Sequence, residues 1–157
     1  MKNSTTVERT SDRELVITRT FAAPARIVFE AWTRPDLFKR WWVPKSLGMS
    51  LLSCEMDVRV GGRYRLEFAH GDSRSAFFGT YKEVTPHSRL VWTNEESDEG
   101  SVTTVTFAEK GGKTLLVMHE LYPSKEALDT AGTGAADAMG ETFEQLDELL
   151  VALGARP

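Results

Sequence analysis

The sequence of 157 residues is 41% hydrophobic and 27% charged, which suits one globular domain that can bury a core without disulfides or metal. Its net charge of -4 at pH 7 leaves no basic footprint for nucleic acid or an anionic membrane. Composition therefore argues against a nucleic-acid partner and favours an ordinary soluble protein.

Residues 1–12 are polar and contain no apolar core of the length that a secretory signal needs. No later run has the apolar length of a membrane helix. We therefore expect a disordered segment at 1–12, a single domain at 13–154, a cytoplasmic location and no membrane insertion. Cys54 is the only cysteine, which excludes an intrachain disulfide and predicts a buried structural thiol.

The first half of the chain predicts one strand followed by two short helices. Residues 14–21 alternate in polarity and are rich in β-formers, as in a half-buried strand. Pro24 occupies a favourable first position for a helix that continues to Trp32. Pro35 ends that helix, and a second short helix is expected from Asp36 to about Trp42.

From Ser50 onward apolar residues occupy every second position, which predicts about six antiparallel strands. Tyr64, Leu66 and Phe68 alternate with charged residues, so one face of that strand is apolar and the other is wet. Glycine pairs and a Gly-Asp pair mark several of the turns. The predicted strands are residues 50–57, 63–69, 76–84, 90–93, 102–108 and 114–120.

The chain ends in a predicted amphipathic helix, Ala135 to Leu153, of nearly 30 Å at about 1.5 Å per residue. Its apolar residues recur at steps of three and four and form one stripe. The stripe contains Ala136, Met139, Phe143, Leu146, Leu150 and Leu153. A sheet with one apolar face is the natural partner of such a helix, and the glycines at 132 and 134 are interpreted as helix punctuation.

Several segments in this order resemble a known family: RTFAAPARIVFEAWTRPDLFKRWW, GGRYRLEF, FFGTYKEVTPHSRLVWT, TVTFAEKGGKTLLVMH and LYPSKEALDTAGTGAADAMGETFEQLDELL. Together they are similar to the START-like (SRPBCC) superfamily, in its branch related to the activator of Hsp90 ATPase homologue 1. The resemblance implies the helix-grip fold, an α+β architecture of order β-α-α-β6-α. In that fold a curved antiparallel sheet wraps around a long C-terminal helix.

The resemblance also implies a cavity between the sheet and the last helix that takes an apolar or amphipathic small molecule. The start of the last helix departs from a family pattern that reads roughly Gly-Met-Glu-x-Gly, because Gly134 is followed here by Ala-Ala-Asp-Ala. The eukaryotic co-chaperone has a further N-terminal domain that this sequence does not contain. We therefore expect no Hsp90-type partner.

Catalytic signatures are sparse in this sequence. It has no G-x-S-x-G motif, and its three histidines are too widely spaced to predict a metal site. No cofactor or metal is expected. His119 and Glu120 are the only weak catalytic candidates, and the family pattern favours Glu120 on the inner face with Leu116. Glu120 is then either an acid or base with a raised pKa or an ordinary hydrogen-bonded strand end.

Apolar and aromatic residues at inward positions are the candidate ligand-binding set, and ordinary core packing is the alternative for each of them. Arg40 or Arg65 could meet an anionic head group, and the tryptophan pair could instead plug the end of the sheet. The candidate ligand-binding residues are Trp41, Trp42, Tyr64, Leu66, Phe68, Phe78, Trp92, Val105, Phe107, Met118, Met139 and Phe143.

Three functions remain open on the sequence. The first is a small-molecule binding protein. The second is a co-chaperone-like or stress-related interaction module. The third is a cyclase- or hydrolase-type enzyme that uses Glu120 or His119. Leu115 and Val117 are expected on the outer face of their strand. Exposed apolar strand residues can mark an interface, so a homodimer is also possible on the sequence.

Overall fold

The computed structural model describes residues 5–42, 50–95 and 100–153, without the side chains of residue 70 and residues 130–139. Within these residues, three helices pack on one antiparallel sheet. The strands are β1 (Thr6–Arg9), β2 (Glu14–Phe21), β3 (Ser50–Met56), β4 (Arg63–His70), β5 (Ser73–Thr85), β6 (Arg89–Thr93), β7 (Val102–Lys110) and β8 (Lys113–Leu121). The helices are α1 (Ala25–Thr33), α2 (Pro35–Phe38) and α3 (Lys125–Ala152).

The sheet has eight strands in the order β1-β2-β8-β7-β6-β5-β4-β3. The sheet joins the two ends of the chain, because β2 pairs with β8, the last strand. In this register Leu15 lies opposite Glu120. Irregular pairing occurs between Leu51 and Ser53 in β3 and between Tyr81 and Glu83 in β5. Such bulges increase the local bend and twist of a sheet. The α+β helix-grip prediction is confirmed.

The inner face of the sheet follows the predicted alternation. Leu116 and Met118 of β8 are buried, whereas Leu115 is 42% exposed on the outer face. On β2 the inward residues include Arg19, which is 5% exposed. Arg19 forms an ion pair with Asp147 of α3 and donates a hydrogen bond of 2.9 Å to Thr5 Oγ1. This buried cation ties the sheet to the C-terminal helix.

Three element predictions require correction. α2 ends at Phe38 and not at about Trp42. Thr6–Arg9 forms an edge strand paired with β2, within the segment predicted to be disordered. α3 begins at Lys125 rather than at Ala135, because the Ser124 hydroxyl caps it by accepting a 3.1 Å hydrogen bond from the Ala127 amide. The glycines at 132 and 134 therefore lie within the helix and do not punctuate it.

The second half of α3 supplies the main apolar surface against the sheet. Phe143, Leu146 and Leu150 are buried, while Leu153 is 40% exposed at the helix end. Burial raises the pKa of Asp147 on this helix, and its ion pair with Arg19 acts in the opposite direction. Within the described residues, no helix is long and apolar enough to cross a membrane.

Candidate functional site

A pocket of about 170 Å³ lies between the α1–α2 segment and the inner face of strands β3 to β6. Its deeper walls are buried side chains, and its outer part is formed by half-buried or exposed ones such as Trp42, Met56 and Phe77. The lining residues are Trp32, Phe38, Trp42, Met56, Tyr64, Leu66, Phe77, Tyr81, Trp92 and Asn94.

Aromatic rings in mutual contact form most of the pocket wall. The Trp32 ring centroid lies 5.9 Å from that of Trp92 and 5.8 Å from that of Trp42. Phe38 stacks on Trp42 at 4.8 Å. α1 and α2 carry Trp32 and Phe38 to the pocket, and the period-two alternation of β4 brings Tyr64 and Leu66 to its sheet side. These contacts form a continuous aromatic wall.

Tyrosine and asparagine side chains provide the polar groups of the pocket. The Tyr64 hydroxyl lies 2.9 Å from both the Thr93 carbonyl oxygen and Asn94 Oδ1, and these two acceptors share its single hydrogen. Burial raises the pKa of Tyr81, and the nearby Cys54 and Asp57 act in the same direction, so this phenol stays protonated. The buried indole N–H of Trp32 has no hydrogen-bond partner among the described residues.

A chain of hydrogen bonds leads from the pocket across the inner face, and we call it the polar track: Tyr64, Asn94, Thr103, Glu120 and Tyr122. Asn94 Nδ2 donates to Thr103 Oγ1 at 3.0 Å, and Thr103 Oγ1 donates to Glu120 Oε1 at 3.2 Å. The Tyr122 hydroxyl donates to Glu120 Oε2 at 2.7 Å. Burial, followed by the charge of Glu120, raises the pKa of Tyr122, which keeps this donor protonated.

The sequence-predicted ligand set divides between the pocket and the core. Trp42, Tyr64, Leu66 and Trp92 line the pocket. Six others are buried core side chains outside its lining: Trp41, Phe68, Val105, Phe107, Met118 and Phe143. The side chain of Met139 lies outside the described residues.

Phe78 and Phe77 occupy opposite faces of β5. Phe78 is paired with Arg65, and its neighbour Phe77 is paired with Leu66 on the inner face. Phe77 therefore lines the pocket and Phe78 does not. Adjacent residues in a strand point in opposite directions, and the alternation Phe77-Gly79-Tyr81 was the signal that could have selected Phe77 instead of Phe78.

Sequence reasoning also missed other pocket residues, for different reasons. Trp32 and Phe38 lie on the short helices, whose position over the sheet is a tertiary feature. Met56 shares its strand with Leu52, which is 47% exposed because the bulge in β3 shifts the alternation. Asn94 follows β6 and carries no sequence pattern that marks it as a pocket residue.

The two catalytic candidates point to opposite faces. Glu120 lies on the inner face within the polar track, and His119 lies on the outer face, where its Nε2 is 2.7 Å from Glu14 Oε2. The hydrogen bond with His119, helped by Ser11, lowers the pKa of Glu14. Neither candidate belongs to the pocket lining.

Charged side chains are also absent from the described pocket lining. Arg40 is exposed, and Arg65 pairs with Glu67 at 3.3 Å on the outer face. Across the described part of the chain, no cluster of three metal-ligating side chains is present. The chemistry available in the pocket is therefore apolar packing with a few neutral hydrogen-bonding groups.

The sequence profile of one family, described as Activator of Hsp90 ATPase homolog 1-like protein, matches residues 22–151. The chain belongs to this family. The fold is similar to that of a solved structure, a protein from Rhodobacter sphaeroides that is 25% identical, with a TM-score of 0.87 over 95% of this chain and 99% of that chain. The START-like resemblance inferred from the sequence is confirmed.

Two further solved structures are similar. A protein from Mycobacterium smegmatis is 25% identical, with a TM-score of 0.80 over 94% of this chain and 96% of that chain. A protein from Chromobacterium violaceum is 26% identical, with a TM-score of 0.76 over 87% of this chain and 96% of that chain. No curated protein matches the sequence significantly. The comparisons thus identify the family and fold, and function has to be argued from the site.

Proposed function

We propose that residues 13–154 form a single domain that binds a small, mostly apolar molecule in the pocket between the α1–α2 segment and the sheet. The observation that carries this proposal is the aromatic pocket of about 170 Å³. Ligand sites in proteins are typically concave, apolar and supplied with a few polar groups that fix orientation. The Tyr64, Tyr81 and Asn94 side chains are such groups.

The pocket volume limits the size of the ligand. An apolar cavity of about 150 Å³ stays dry and holds one benzene molecule, whereas drug-sized ligands occupy about 300 Å³ or more. A pocket of about 170 Å³ therefore suits one aromatic ring with a small substituent. This ligand lies at the small, apolar end of the apolar or amphipathic molecules that the fold resemblance implies.

This proposal places the ligand against α1 and α2 instead of against the C-terminal helix. Phe143 of α3 is fully buried, and its ring packs edge-on against Phe21 at 5.5 Å. Trp32 separates the two regions, since it contacts Phe143 at 6.3 Å and also lines the pocket. Phe143 is thus assigned to the core that supports the pocket wall.

Native mass spectrometry of the protein purified from its own host tests the proposal. We expect a bound molecule of about one ring, released on unfolding, and its mass would identify the ligand class. The Leu66→Trp variant, which fills the pocket from β4, should lose the molecule. Retention of the same molecule by Leu66→Trp would contradict the proposed site. Exposed Leu52 on β3 offers the matched control, because Leu52→Trp should leave binding unchanged.

A further inference from the structure

The polar track has a fixed direction, and the direction is set by Glu120. A carboxylate has acceptors only, so the Thr103 hydroxyl must donate its hydrogen to Glu120. The Thr103 oxygen then serves as the acceptor for Asn94 Nδ2, at 3.0 Å. Thr103 is 1% exposed, so water has almost no access to the residue that links the two bonds.

The direction of the track determines which end of the Asn94 amide lies at the pocket. Its Nδ2 donates toward β7, to Thr103 and also to Ser101 Oγ at 2.9 Å. A longer contact of 3.4 Å to the Ser101 carbonyl has the same direction. The amide oxygen consequently lies on the pocket side, 2.9 Å from the Tyr64 hydroxyl, whose hydrogen it shares with the Thr93 carbonyl. An amide oxygen has two lone pairs, so Asn94 Oδ1 can accept a second hydrogen bond.

The remainder of the lining defines the ligand that this acceptor suits. Every other lining residue is aromatic or apolar, its only polar atoms being the two tyrosine hydroxyls and the tryptophan indole N–H groups, and none of the described lining residues is charged. An anionic ligand would lose its hydration there without gaining a counter-charge. A neutral ring with one hydrogen-bond donor combines the apolar packing with a partner for the Asn94 oxygen.

We propose that the pocket selects a neutral single-ring aromatic molecule with a hydroxyl group, which donates its hydrogen to Asn94 Oδ1. Glu120 is the positioning residue for this contact, because it orients Asn94 through Thr103. This inference rests on the proposed function and names its ligand class. It gives the half-buried carboxylate of Glu120 on the inner face a role in ligand selection, without any contact between that carboxylate and the ligand.

Fluorine NMR titration with para-fluorophenol and para-fluorotoluene measures this preference, since the two probes differ only in a hydroxyl and a methyl group. We expect the protein to bind the phenol about fivefold more tightly, which corresponds to one neutral hydrogen bond. A third probe, para-fluorobenzoate, has the same ring with a full negative charge. It should bind more weakly than either.

Two variants test the role of the polar track. Thr103→Val removes the hydroxyl and keeps the side-chain shape. Glu120→Gln replaces the carboxylate by an amide that can also donate, so the direction of the hydrogen bond with Thr103 is no longer fixed. Both should reduce the ratio of phenol to toluene affinity by at least about twofold, with the toluene affinity unchanged. Thr104→Val is the matched control, because Thr104 lies on the same strand opposite His119 on the outer face. It should leave the ratio unchanged.

The outcomes separate this inference from the proposed function. Saturable toluene binding without a preference for the phenol would overturn the inference and leave the pocket intact. A preference that persists in both Thr103→Val and Glu120→Gln would overturn the positioning role. Failure of all probes to bind would overturn the proposed function and the inference together. If Thr103→Val fails to fold, Glu120→Gln alone decides the positioning role.

Discussion

Replacing the same residue type at two buried positions distinguishes an open pocket from a closed core. Leu66 of β4 is 4% exposed and lines the pocket of about 170 Å³, whereas Leu90 of β6 is 1% exposed and lies outside the lining. Leu→Phe adds about 25 Å³ of side chain, and about 24 cal/mol is recovered per Å³ of cavity filled. Leu66→Phe should therefore raise the free energy of unfolding by up to about 0.6 kcal/mol. Leu90→Phe has no such space and should lower it by about 1–3 kcal/mol.

Urea unfolding followed by tryptophan fluorescence measures both effects, provided that the dependence of free energy on denaturant stays the same among the variants. In a chain of this size, the loss expected for Leu90→Phe corresponds to a melting temperature lower by at least about 2 °C. Leu66→Phe should also weaken para-fluorotoluene binding, since the added ring occupies the ligand space. An equal loss of stability in Leu66→Phe and Leu90→Phe would refute the pocket as a void in the folded protein.

Three further predictions concern the ion pair, the pH dependence and the glycines. Asp147→Asn removes the counter-charge of buried Arg19 and should lower the free energy of unfolding by about 2 kcal/mol, reduced from the fully buried case because Asp147 is 31% exposed. The pKa of Glu14 is lowered from 4.5 by hydrogen bonds from a histidine and a serine, so its stabilising contribution is present above that pH and is lost as the pH falls below it. Glu14→Gln should therefore flatten the acid side of the stability curve measured by urea unfolding. Gly79→Ala would overlap the backbone of β6 and should cost at least about 3 kcal/mol, whereas Gly140→Ala meets open space in α3 and should stabilise by about 0.5–1 kcal/mol in the same assay.

Each of these predictions has an outcome that contradicts it. Unchanged stability in Asp147→Asn would show that Arg19 does not depend on this carboxylate. If the free energy of unfolding of Glu14→Gln falls with decreasing pH as steeply as that of the unmodified protein, the contact between Glu14 and His119 does not contribute to the acid response. A Gly79→Ala protein as stable as Gly140→Ala would contradict the close approach of β5 and β6.

The sequence predicted the inner face best where charge and apolar residues alternate without interruption. In β4, Tyr64 and Leu66 alternate with arginines, and the structure buries both. In β5, two adjacent phenylalanines and a bulge at Tyr81 obscure the alternation. A bulge is a local backbone irregularity, and hydrophobic periodicity contains no signal for it.

Features that depend on tertiary contacts could not be predicted from local patterns. Arg19 is buried because α3 supplies Asp147 as its partner, and the two residues are far apart in sequence. The edge strand Thr6–Arg9 is polar and depends on pairing with β2. The early start of α3 was missed because glycines and small residues weaken the helical pattern, although the cap at Ser124 stabilises its first turn.

The location of the pocket is the most important of these tertiary features. The apolar stripe of the last helix correctly indicated a partner for the sheet, but the described part of that helix serves the core. The pocket instead depends on where α1 and α2 place Trp32 and Phe38 over the sheet. Relative helix placement is set by packing, which single-sequence periodicity does not encode.

The indole N–H signals of the four tryptophans provide the most direct test of ligand binding in the pocket. Trp32, Trp42 and Trp92 line the pocket, whereas the Trp41 N–H is fixed by a 2.9 Å hydrogen bond to the Ala31 carbonyl outside it. In a nitrogen-proton NMR titration with para-fluorotoluene, we expect saturable shifts of the three pocket indole signals and the smallest shift for Trp41. Four equal, non-saturating shifts, or none at all, would contradict the claim that this chain binds a ligand in the pocket.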